Sequence, residues 1–91
     1  MKYSISYTKQ FEKQLKICYK RGLDISVLIN AVTILEENGY LPPLYKPHKL
    51  KGKYMGLWEC HLKPDWLLIW EQKDNEFILI FIATGSHSDL F

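Results

Sequence analysis

Residues 57–83 read LWECHLKPDWLLIWEQKDNEFILIFIA, and the fold turns on how this stretch divides. Three apolar runs, Leu57 to Lys63, Trp66 to Gln72 and Phe77 to Ala83, are separated by Lys63-Pro64-Asp65 and Lys73-Asp74-Asn75-Glu76. Runs of this length, rich in aromatic and β-branched residues and broken by turn formers, predict strands. Links this short join antiparallel neighbours, so a meander follows. Both alternating faces of the last run are apolar, which predicts a central strand covered by helices on one side and by aromatics on the other. In the first run, alternation places Trp58, Cys60 and Leu62 on one face and Leu57, Glu59, His61 and Lys63 on the other. His61 therefore stands on the more polar face.

Working outward, Tyr3, Ile5 and Tyr7 alternate with Ser4, Ser6 and Thr8, the pattern of a short half-buried strand. From Thr8 the period lengthens: Phe11, Leu15, Cys18 and Tyr19 share one helical face, and Lys9, Glu12, Lys13, Lys16 and Lys20 lie outside it. Gly22 marks the stop. Asp24 is placed to cap a second helix carrying Ile25, Leu28, Val32 and Leu35, which Asn38-Gly39 and Leu41-Pro42-Pro43 end. Lys46 to Gly56, with Pro47, Gly52 and Gly56, reads as an exposed loop. The order β-α-α-β-β-β predicts an α+β layer: a twisted, mainly antiparallel sheet with a helical hairpin packed on one face. Residues 1–91 read as one domain, with no linker, repeat or low-complexity tract.

A 47% hydrophobic, 14% aromatic chain of this length has material for one core. It contains no run of about 18 apolar residues, and its first seven residues alternate instead of forming an apolar block, so a cytoplasmic protein with no membrane partner is expected. Cys18 and Cys60 fall in a helical and a strand pattern without metal-ligand spacing and read as buried thiols. The net charge is only +2, but Lys46, Lys49, Lys51 and Lys53 are clustered without an acidic residue between them.

The three histidines are His48 in this lysine segment, His61 on the polar strand face and His87 in Thr84-Gly85-Ser86-His87-Ser88-Asp89-Leu90-Phe91. Metal-independent RNA cleavage needs a base for the 2′-hydroxyl, an acid for the leaving 5′-oxygen and fixed positive charge beside the phosphate. His48, His61, His87 and Asp65 offer the proton-transfer groups; Lys49, Lys51, Lys53 and Lys63 offer charge; Trp66, Phe91 and Tyr54 offer surfaces for bases. Each has a plainer reading: a solvated loop for His48 and the lysines, a structural hydrogen bond for His61, a turn for Asp65, core for Trp66, a loose tail for His87. Spacing alone supports a nuclease weakly. It argues against a metal site, because no histidines are paired at zinc-ligand spacing, and against a serine hydrolase, because Gly85-Ser86-His87 lacks the second glycine of a nucleophile elbow.

Three ordered motifs carry more weight together. Tyr45-Lys46-Pro47-His48-Lys49-Leu50-Lys51-Gly52, then Glu59-Cys60-His61-Leu62-Lys63-Pro64-Asp65-Trp66 and the ending Thr84-Gly85-Ser86-His87-Ser88-Asp89-Leu90-Phe91 resemble YafQ-type toxins of the RelE superfamily. The resemblance spans essentially the whole chain. It implies a RelE-like fold and a type II toxin-antitoxin endoribonuclease, an mRNA interferase that cuts messenger RNA in the ribosomal A site and needs no cofactor. By that resemblance His48, His61, Asp65 and His87 form the catalytic group, with His87 the general acid, and Trp66 and Phe91 shape the RNA site. It further implies a cognate DinJ/RelB-like antitoxin, a monomer when alone and a heterotetramer with the antitoxin. One position departs: the family commonly carries arginine before the Thr-Gly pair, where this chain has Ala83, and Arg21 is its only arginine. A guanidinium would clamp a phosphate in two places, which alanine cannot do. The alternative is therefore a RelE-fold antitoxin-binding or corepressor protein with weak or no catalysis.

Overall fold

The computed structural model describes residues 2–91. A strand, β1 (Ser4–Tyr7), leads into helices α1 (Lys9–Lys20) and α2 (Ile25–Asn38). After a two-residue strand β2 (His48–Lys49) come β3 (Trp58–Lys63), β4 (Trp66–Lys73) and β5 (Ile78–Gly85), and a one-turn helix α3 (His87–Leu90) follows. The sheet order is β1-β5-β4-β3-β2. All neighbours are antiparallel except β1 and β5, which run parallel and make the sheet mixed.

The local signals act as their chemistry requires. Thr8 caps α1 by accepting from the Phe11 amide, and Asp24 caps α2 by accepting from the Ser26 amide. Gly39 ends α2 in the left-handed conformation (φ 74°), where a Cβ would also lie 2.7 Å from the Tyr3 hydroxyl.

Both helices cover one face of the sheet. Phe11 and Cys18 from α1 and Leu28, Val32 and Leu35 from α2 pack on Cys60, Leu62, Leu68, Trp70, Leu79 and Phe81. Burial pushes both thiols, Cys18 and Cys60, above their usual pKa range. On the opposite face a smaller cluster joins Leu67, Ile69, Ala83 and Leu90. Between the clusters the sheet carries a bulge. Ile69 pairs with Ala83 but Trp70 pairs with Phe81, so Ile82 is an extra residue that shifts the alternation. Phe81 then faces the helices, and Ala83 faces away from them.

Four expectations need correction. The segment Lys46 to Gly56 is not all loop: His48 and Lys49 pair with β3, and Gly52–Tyr54 forms a 3₁₀ turn. Tyr19 is exposed, because α1 has only Phe11 and Cys18 fully against the sheet. The far side of β5 is covered mainly by aliphatic side chains, with Tyr54 the aromatic that packs on the cluster there. The chain after Gly85 is not a tail, since a capping box between Ser86 and Asp89 closes α3.

Candidate active site

The site grows from the sheet face that the helices leave uncovered. Glu59 and His61 share that face of β3, and His48 stands directly across from Glu59 in β2. Asp65 sits in the β3–β4 turn, and His87 is the first residue of α3. These elements set the imidazoles in a row: ring centroids are 6.2 Å apart for His48 and His61, 6.4 Å for His61 and His87, and 5.7 Å for His87 and Phe91. Tyr54 stands edge-on to Phe91 at 5.5 Å, and the Lys53 ammonium lies 5.1 Å from the Tyr54 ring.

Glu59 is the centre of the row. Its side chain is 4% exposed, yet its Oε1 lies 3.1 Å from Nε2 of His48 and 3.9 Å from Nε2 of His61. Its Oε2 is buried with no hydrogen-bond partner among the described residues. The tautomers follow from the other ring nitrogens. Nδ1 of His48 lies 2.9 Å from the Lys46 carbonyl and Nδ1 of His61 lies 3.3 Å from the Pro64 carbonyl. A carbonyl only accepts, so both Nδ1 atoms donate. Nε2 is then the nitrogen that each of the two rings turns toward Glu59.

A second assembly holds His87. The His87 amide donates to Oδ1 of Asp65 at 2.9 Å, and its Nδ1 lies 3.6 Å from the same oxygen. Behind it, Asp89 accepts from the Ser86 amide at 2.9 Å and from both terminal guanidinium nitrogens of Arg21, Nη1 and Nη2, at 2.6 and 3.2 Å. Arg21 holds the Asp89 carboxyl well below the usual carboxylate range. The α3 turn is thereby pinned to the end of α1. Gly85 permits this, because a Cβ there would lie 2.9 Å from the Asp89 carboxylate.

The geometry is that of acid–base groups on an open surface, and sequence comparisons place it in a known family. The family model described as "Bacterial toxin of type II toxin-antitoxin system, YafQ" matches residues 3–91. The chain belongs to the YafQ family. It is 39% identical over 88 residues to the mRNA interferase toxin YafQ of Escherichia coli K12, covering 96% of this chain and 94% of that one. The crystal structure of the E. coli DinJ-YafQ toxin-antitoxin complex superposes with a TM-score of 0.89 at 37% identity, covering 100% and 99% of the two chains. A metal-bound toxin from Helicobacter pylori gives a TM-score of 0.87 at 44% identity, covering both chains fully.

Within this YafQ fold the residues named from sequence divide. His48, His61, Asp65, His87 and Phe91 come together, with Lys53 at the margin beside Tyr54. Lys63 lines a cavity that His61 also lines. Lys51 is exposed at the start of the 52–54 turn. Two placements correct the reading. Lys49 sits on the other face of β2, its ammonium 5.7 Å from the Trp58 ring. Trp66 is buried in the helix-side core, its Nε1 donating to Thr84 Oγ1 at 3.0 Å, so its ring is closed to bases and supports the site from beneath.

Glu59 is the residue that sequence reasoning passed over. Its one signal was its place two residues before His61 on the polar strand face. Ala83 is the other informative position. Glu59 and Ala83 both pair with Ile69, so His48, Glu59, Ile69 and Ala83 form one rung across four strands. An arginine at 83 would start two strands, roughly 10 Å, from the unpartnered oxygen of Glu59. No group of three His, Cys, Asp or Glu side chains among the described residues is placed to hold a metal ion.

Proposed function

We propose that this YafQ-family chain is an mRNA interferase that cuts messenger RNA in the ribosomal A site by metal-independent acid–base chemistry. The observation that carries the reading is a buried Glu59 between His48 and His61, with His87 on the other side of His61. Nε2 of His61 takes the 2′-hydroxyl proton as that oxygen attacks phosphorus, and Glu59 offsets the charge the imidazole gains. His87, oriented by Asp65, gives a proton to the 5′-oxygen as its bond to phosphorus breaks. The products are a 2′,3′-cyclic phosphate and a 5′-hydroxyl. Lys51, Lys53 and Lys63 draw in the phosphates, and Phe91 with Tyr54 offers a stacking surface.

In this reading residues 1–91 act as one toxin domain in the cytoplasm, where ribosomes are. A DinJ/RelB-like antitoxin inactivates it in a heterotetramer; the E. coli relative crystallised with DinJ supports such a partner. The test is to induce the protein and its His87→Ala form and map messenger RNA ends by primer extension, with and without ribosome engagement and with a chelator. Cuts inside translated codons that survive chelation and vanish without His87 are expected. Ala83 favours a second reading, an antitoxin-binding corepressor with little catalysis, because no guanidinium faces the histidines. Folded, soluble wild-type protein that makes no cuts would select it.

A further inference from the structure

β2 begins only at His48, opposite Glu59, so among the described residues no strand lies along the outer edge of β3 from Cys60 to Lys63. That edge, α2 and the 3₁₀ turn at Pro43–Tyr45 enclose a cavity of about 480 Å³, within the range of small-molecule sites. Val27, Leu44 and Tyr45 give it apolar walls, Lys46 and Lys63 bring two ammonium groups, and His61 forms the wall it shares with the histidine row. Lys46 holds a left-handed backbone (φ 51°), uncommon for a residue with a side chain, and its carbonyl is the acceptor for His48 Nδ1 at 2.9 Å. One strained residue thus lines the cavity and orients a histidine of the site.

We propose that this cavity binds the nucleotide next to the scissile phosphate of the RNA and sets the cleavage-site preference, an inference that rests on the endoribonuclease reading. The chemistry fits a nucleotide in its parts: a base lies against Tyr45, Leu44 and Val27, and its phosphate bridges Lys46 and Lys63. Sharing His61 keeps that nucleotide one step along the strand from the reacting phosphate.

The test titrates a 2′-O-methylated trinucleotide, which cannot be cleaved, into labelled protein followed by NMR, and counts flanking nucleotides at cleavage sites in translated messages. Two variants accompany the wild type. Lys46→Gly removes the ammonium while glycine accepts the left-handed backbone, so the His48 acceptor stays. Leu44→Glu adds negative charge at an exposed wall residue. Shifts at Val27 and Leu44, affinity weakened at least threefold by Lys46→Gly and tenfold by Leu44→Glu, and an altered flanking profile are expected. Shifts confined to residues around His87 and Phe91, or unchanged affinity and profile in both variants, would overturn the proposal. So would variants that lose antitoxin binding while cleaving as before, which would assign the cavity to the antitoxin. A trinucleotide held in the cavity of wild-type protein that cuts nothing would leave the site standing and remove the endoribonuclease reading instead.

Discussion

Replacing Glu59 by leucine should make the protein more stable and nearly inactive. Glu59 is buried with one carboxylate oxygen unpartnered by any described residue, and such a group costs about 1–3 kcal/mol. Its other oxygen recovers part of this through His48, whose side chain is 47% exposed and so returns less than a buried partner would. Leucine fills the same strand position beside Ile69 without a charge to desolvate. The net gain is about 1 kcal/mol, which for a domain of this size raises Tm by about 4–8 °C. A general base such as His61 contributes about 10²–10⁴-fold to rate, and without the carboxylate that offsets its charge messenger RNA cleavage should fall by about 10². Thermal melts and primer-extension rates on the same preparations read both effects, and Glu59→Gln, which keeps shape without charge, should lose activity with little change in Tm. A leucine variant that melts below the wild type, or cleaves as fast, would refute the reasoning.

Ala83→Arg should raise cleavage by about 10²-fold, the worth of one preorganised donor, while lowering stability by about 1–3 kcal/mol because Ala83 is fully buried among Leu67, Ile69 and Leu90; primer extension and urea melts report both. Asp89 has its folded pKa below the unfolded value, so its ion pair with Arg21 contributes fully above about pH 4 and is lost as pH falls through the folded value. Urea melts between pH 2 and 6 should show declining stability at the acid end, and Arg21→Ala should flatten that decline and slow cleavage by freeing the turn that carries His87. Thr84→Val should cost about 1–3 kcal/mol, since the buried hydroxyl accepts from Trp66 and donates to the Leu67 carbonyl at 2.8 Å, and chemical denaturation measures it.

The two periodicities made most of the fold legible. Alternation separated Cys60 and Leu62 from Glu59 and His61, and that division is the division between core and site. The caps at Asp24 and Gly39 were equally local and equally readable. What escaped depends on pairing between distant segments. A two-residue strand such as β2 has no periodicity of its own and exists only because His48 and Lys49 meet Glu59 and Trp58. The inserted Ile82 has no local signature either, though it alone turns Ala83 toward the histidines. Glu59 was hidden for a related reason: a glutamate on a half-exposed strand face is ordinarily solvated, and its pairing with His48 comes from another segment. Trp66 misled in the opposite direction, because its neighbour Asp65 belongs to the site while its own ring turns inward.

Among the described residues β1 hydrogen-bonds to no strand but β5, with Ser4 across from Ile78 and Tyr7 across from Phe81. The first strand to leave the ribosome must therefore wait for residues 78–85 before it has a neighbour, and α1 and α2 wait with it, since Leu79 and Phe81 complete their core. Pairing over such a separation is slow to form. His87 follows two residues after β5 ends, so the spine of the sheet and the last imidazole of the row are delivered together. A chain that stops short of β5 therefore lacks both the strand that completes the core and the imidazole of His87, so fold and histidine row are completed in one step.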